Sequence, residues 1–176
     1  MESILTLEQL HHNLIMGPGY EGYAQLIKAI DLPRESYAPL CRWSDERYQR
    51  IRFFDTDSLE GLITCWKPGQ SSSIHTYENA IGWLKVLEGQ IDWEHFSPEA
   101  HGTSPTYHKT FTTGEIGFLN DDLGFHRFVN RGAEPTVMLL LYADKIKQWR
   151  TYDPETGRIA QEAVTVDFNL DPDHQG

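Results

Sequence analysis

Cysteine is scarce in this chain. Cys41 and Cys65 are the only two thiols in 176 residues. Two cysteines make no disulfide framework, and a reducing cytoplasm is the simplest setting for such a chain. Long hydrophobic runs are missing too. No stretch approaches the roughly 18 apolar residues that a membrane-spanning helix needs. The start, Met1 to Leu10, lacks the basic and apolar regions of a signal peptide. Positive charge is in deficit, with 15 Lys and Arg against 26 Asp and Glu and a formal charge of −11. That balance argues against nucleic-acid and anionic-membrane partners and reads mostly as a solvated acidic surface. No repeat, low-complexity tract or interdomain linker interrupts the chain.

The length is that of one domain, 1–176, with enough chain to bury a sizeable core. Its first part, 1–49, is helical in pattern. Leu5, Leu7, Leu10, Leu14 and Ile15 recur at helical spacing, Thr6 is placed as an N-cap with Gln9 three residues on, and Gly17-Pro18-Gly19 ends the run. Tyr23 to Ile30 and Ser44 to Tyr48 read as two further short helices. From Arg50 to Leu170 the pattern becomes that of strands. Residues 62–66, 82–87, 90–96, 117–120, 126–130 and 136–142 are short, apolar or alternating, and bounded by turn residues. Glu88-Gly89 signals a hairpin. Evenly spaced short strands predict a mainly β barrel or double-sheet sandwich. Pro98 to Tyr107 reads as a surface loop, and the tail after Leu170 as frayed.

Chemistry concentrates in two places, Gly69-Gln-Ser-Ser-Ser-Ile-His75-Thr-Tyr77 and Gly124-Phe-His126-Arg-Phe-Val-Asn130. On a strand, His75 and Tyr77 at i and i+2 point to one face, while Glu78 points away. A phenolate binds ferric iron well, and a metal lowers the phenol pKa. The other reading of Tyr77 is that it points past a two-histidine site with open water positions. Ser71 to Ser73 have no evident base and shape the loop before His75. His11, His12, His95, His101, His108 and His174 show no ligand spacing, and Cys65 beside Trp66 reads as core packing.

These residues carry a resemblance that covers nearly the whole chain. The run Cys65-Trp66-x-x-Gly69-x-Ser-Ser-Ser73-Ile-His75 resembles the metal strand of the cysteine dioxygenase family, a branch of the cupin fold. Lys85-Val-Leu-x-Gly89, Leu119-Asn-Asp-x-x-Gly124-x-His126-Arg127-x-x-Asn130, Leu141-Tyr142 and Tyr152-Asp-x-x-Thr-Gly157 match later segments of the pattern. The resemblance implies a cupin-type barrel, a double-sheet jelly roll with a helical N-terminal segment. It also implies a mononuclear non-haem iron held by His75, His126 and the residue at Tyr77. Arg50 and Tyr48 then bind the substrate carboxylate, through the planar fork of the guanidinium, and Tyr142 is the active-site tyrosine.

Three departures stand out. The family's His-Asp-His is His75-Thr76-Tyr77 here. Gly82 stands where mammalian members carry a cysteine that cross-links to the tyrosine, as it does in bacterial relatives. Leu140 replaces the histidine two residues before that tyrosine. The expected function is an iron-dependent oxygenase that takes a small thiol carboxylate, such as cysteine or a derivative, and dioxygen, and yields a sulfinate. The alternatives are a changed reaction made possible by the phenol, or a retired cupin that binds a metal or thiol as a sensor or partner protein.

Overall fold

The computed structural model describes residues 2–100, 103–122 and 124–170. The chain opens with α1 (Leu7–Met16), α2 (Gly19–Ala29) and the short α3 (Arg34–Tyr37). The expected capping box is present: Gln9 N donates to Thr6 Oγ1 at 3.1 Å, and Thr6 N donates to Gln9 Oε1 at 3.2 Å. Gly17 closes α1 at φ 66°, a backbone state that glycine adopts without strain. The helix expected over Ser44 to Tyr48 does not form. Ser44 Oγ instead accepts from Glu46 N at 3.1 Å, so a local side-chain turn competes with the helix.

Eleven strands follow among the described residues: β1 (Gln49–Asp55), β2 (Leu59–Trp66), β3 (Ile81–Glu88), β4 (Gln90–Phe96), β5 (Tyr107–Thr112), β6 (Ile116–Leu119), β7 (Phe125–Val129), β8 (Thr136–Ala143), β9 (Gln148–Tyr152), β10 (Ile159–Ala163) and β11 (Phe168–Asn169). One sheet runs β11-β1-β2-β8-β3-β6. Opposite it, β5-β4-β7 and β9-β10 are joined by the segment that carries His75, which bridges to His126 on β7 and to Thr151 on β9. The expected loop from Pro98 to Tyr107 contains a short 3-10 turn at Pro98–Ala100, and Tyr107 already begins β5. The expected frayed tail after Leu170 lies outside the described residues, as do His101 and His174.

Burial on both faces explains why β8 reads as a continuous apolar run. Leu139 and Leu141 face outward onto the helices, with Leu10, Leu14, Leu26, Ile27 and Ile30. Met138, Leu140 and Tyr142 face the barrel interior, with Trp66, Leu84, Ile91, Phe111 and Phe128. The helical segment therefore covers the outer face of the six-stranded sheet, and the inner face is left for the site. Removing one such buried leucine side chain costs about 2–5 kcal/mol. The hairpin between β3 and β4 turns at Gly89, where φ is 85° and a Cβ would stand 2.5 Å from Pro135 O. No other residue fits there.

Candidate metal centre and substrate pocket

The strand expected to carry His75 is reduced to isolated bridges. Ser72 Oγ accepts from Phe128 N at 3.1 Å, taking a place in the ladder that a backbone carbonyl would hold. Regular pairing resumes at His75, whose N donates to His126 O at 2.8 Å while His126 N donates to His75 O at 2.9 Å. The two histidines are thus directly opposed across neighbouring segments, with ring centroids 4.5 Å apart. The segment ends in a turn with positive φ at Glu78 and Asn79. Asp121 holds that turn, accepting from Tyr77 N at 2.6 Å and Asn79 N at 2.9 Å. Glu78 points away from the interior, as expected, and pairs with Arg150 at 3.0 Å.

His75 Nδ1 donates to Ser73 O at 2.8 Å, which leaves Nε2 as the lone-pair nitrogen. Burial lowers the His75 pKa to about 4, against the effect of that hydrogen bond, and the Arg50 charge adds to the lowering. Burial, then His75 and His95, lowers that of His126 well below the ordinary value. Both imidazoles are neutral near pH 7, the form that binds metal. Neither ring nitrogen of His126 has a protein hydrogen-bond partner, and both are buried.

Tyr77 comes to the same place. Its ring lies flat on that of His126, 3.7 Å between centroids and 18° between planes. Its hydroxyl is buried without a protein hydrogen bond. Trp93 Nε1 faces the phenol oxygen but does not close a bond to it. Burial raises the Tyr77 pKa well above its ordinary value, so the phenol is protonated unless a cation draws the proton off. Among the described residues no three His, Cys, Asp or Glu side chains gather to hold a metal. The orphaned Tyr77 oxygen, on a ring stacked against His126, is a candidate third donor of another type. The donor set present, two neutral imidazoles and a phenol, fits an iron ion.

Arg50 enters from β1. Its guanidinium is buried, reaches the Tyr48 hydroxyl, and leaves Nε and Nη2 without protein partners. An unpaired buried donor costs about 1–3 kcal/mol, more when charged, so this arm is built for an acceptor. Tyr48 is held by stacking on Trp66 at 3.8 Å, ring on parallel ring. Tyr142, on β8, stands 6.0 Å from the Tyr77 ring. The structure thus brings together all six residues expected at the site. It also brings in two that sequence reasoning left out. Trp149 lies 4.0 Å from the His75 ring, with the Arg50 guanidinium 5.3 Å from its own ring. His95, fully buried on β4, opposes His126 in register, with ring centroids 6.1 Å apart. A Trp-x-His alternation over Trp93 to His95 was the available signal that His95 faces inward.

The facing sheets and inward histidines define a cupin-type double-stranded β-helix. The fold is similar to that of a Klebsiella pneumoniae protein with a double-stranded β-helix domain, with TM-score 0.52 and 18% identity over 74% of this chain and 96% of the other. It is also similar to TT1209 from Thermus thermophilus, with TM-score 0.50 and 21% identity over 61% of this chain and 92% of the other. Sequence carries the relationship further. A model of the cysteine dioxygenase type I family matches residues 21–155. Cysteine dioxygenase type 1 of Danio rerio is 34% identical, covering 78% of this chain and 71% of the relative. That of Rattus norvegicus is 25% identical, covering 95% and 86%. The chain belongs to the cysteine dioxygenase type I family, a family of iron-dependent thiol dioxygenases. Among the described residues no helix is long and apolar enough to cross a membrane.

Proposed function

We propose that this protein adds dioxygen to the sulfur of a small thiol carboxylate, cysteine or a derivative, to give the sulfinate. Both oxygen atoms go to sulfur and the S–H proton is lost to solvent when the sulfinic acid ionises. The observation that carries this reading is the pairing of Arg50, two of its donors unused, with the two opposed neutral histidines in one closed barrel interior. His75 and His126 would hold the iron, with the Tyr77 oxygen as third donor. Bound there, iron would supply open positions at which sulfur and dioxygen meet, the electrons that reduce dioxygen coming from sulfur.

The chain's own residues do the rest. Arg50 binds the carboxylate through its fork and Tyr48 adds a hydroxyl. Tyr142 places a second hydroxyl against the substrate, held as a neutral phenol because burial raises its pKa, with Arg50 opposing. Apolar walls at Trp66, Leu84 and Leu140 exclude water. Oxygen uptake by the iron-loaded protein, with cysteine, its derivatives and simple mercapto acids, tests the proposal. One sulfinate per dioxygen is expected for at least one of them. No uptake above the metal-free control with any thiol carboxylate would end it.

A further inference from the structure

We propose that Trp149 determines substrate choice in this pocket: its indole N–H is a further donor, beside Arg50 Nε and Nη2, for the carboxylate of a short mercaptocarboxylic acid. The proposal rests on the thiol-carboxylate reading above and narrows it. Thr151 of β9 bridges to His75, and two residues earlier on the same strand Trp149 turns into the same interior. Its ring then stands between the two ends a substrate has to reach, 4.0 Å from the His75 ring and 5.3 Å from Arg50 Cζ.

A ring in that position invites a simpler account, that the indole only supports the guanidinium through its π face. That account leaves the nitrogen unexplained. Trp149 is 9% exposed, and its Nε1 is buried with no protein partner, whereas a buried indole N–H ordinarily finds one. The other orphaned indole of the interior, Trp93, has the Tyr77 oxygen facing it. Beside the Trp149 ring lies the Arg50 guanidinium, itself with two unused donors. Three unpartnered N–H groups on two neighbouring side chains are complementary to a carboxylate, which has lone pairs for all of them. The same ring limits length. A ligand that binds Arg50 with its acid and reaches the histidines with its sulfur has to pass this ring, which suits a short spacer.

The experiment is calorimetric titration of the iron-loaded, anaerobic protein with 3-mercaptopropionate and with ethanethiol, its carboxylate-free counterpart. Trp149→Phe keeps a ring and loses the donor. Its 3-mercaptopropionate affinity is expected to fall on the order of tenfold or more, with ethanethiol within about twofold. Should Trp149→Phe disturb folding or iron content, β-(3-benzothienyl)alanine at position 149 keeps the indole shape and replaces N–H by sulfur, and the same loss is expected. Arg50→Lys is the control. If it weakens 3-mercaptopropionate while both Trp149 replacements bind it as the unmodified protein does, this inference is overturned and the pocket reading stands. If Arg50→Lys also leaves it untouched, the pocket reading falls as well.

Discussion

Gly82 and Tyr142 face each other across β3 and β8, so closely that a Cβ on Gly82 would stand 2.7 Å from Tyr142 Cδ1 and 2.9 Å from Cε1. The Tyr142 ring lies on the bare backbone of its neighbour. The glycine is therefore a packing requirement of this site, independent of any cross-link chemistry.

Gly82→Ala should force the Tyr142 ring off its position or part the two strands. Overpacking of this kind costs about 1–3 kcal/mol, or several degrees of Tm in a chain of this size. Thermal melting and thiol-dependent oxygen uptake are expected to fall together. A variant that melts and turns over like the unmodified protein would show that Tyr142 has room to move.

Iron content should depend on the opposed histidines. His75→Ala and His126→Ala each remove one buried imidazole from a pair directly opposed across neighbouring segments. Each is expected to purify with a small fraction of the iron, as read by elemental analysis. Full iron in both would place the metal elsewhere.

Arg50→Lys keeps the charge and loses the fork. Cysteine binding should weaken by roughly tenfold or more, and cysteamine, which has no carboxylate, should be affected far less. Equal losses for the two ligands, measured by calorimetry, would contradict the role given to Arg50.

How far these residues could be read before folding depends on how local their signals are. Gln90–Phe96 is a strand in sequence and in structure because alternation and a flanking Gly89 are local facts. The segment from Gly69 to Tyr77 gave up His75 and Tyr77 through spacing, yet the strand it implied is broken by Ser72 Oγ, which competes with the backbone for Phe128 N. Ser44 to Tyr48 failed for a similar reason, a serine side chain that turns the chain where a helix was expected. β9 is only five residues long, with Gln148 and Arg150 among them, and is not among the strands read in the sequence. Its Trp149 and the His95 of β4 enter the site through register with distant segments, which no window of sequence contains.

On the outer face of β4, Glu94 accepts from Arg127 and Arg131, each at 2.6 Å. Burial works to raise its pKa, but the two guanidinium hydrogen bonds outweigh it and hold it below the ordinary 4.5. A depressed carboxyl pKa stabilises the fold above the unfolded value, and that contribution is lost as pH falls through the folded one. Glu94→Gln should therefore cost about 1–3 kcal/mol at pH 7, with the gap to the unmodified protein closing below about pH 4.5. Melting curves over that range check it. A constant gap at all pH values would mean that shape, and not charge, holds these strands.

Tyr77 stands where the family pattern read in the sequence has a histidine. A phenolate beside two neutral imidazoles makes the donor set one charge more negative than three imidazoles, which favours ferric over ferrous iron. Burial raises the Tyr77 pKa well above its ordinary value, so the phenolate is expected only with a bound metal. Ferric protein should then be coloured by phenolate-to-iron charge transfer. Tyr77→Phe removes the oxygen, keeps the ring on His126, and should bleach the band with little change in Tm. Tyr77→His restores a third imidazole and should raise thiol-dependent oxygen uptake. A ferric spectrum that ignores Tyr77→Phe would instead make the ring a lid over His126, as its flat stacking at 3.7 Å allows. The metal would then rest on two histidines and water.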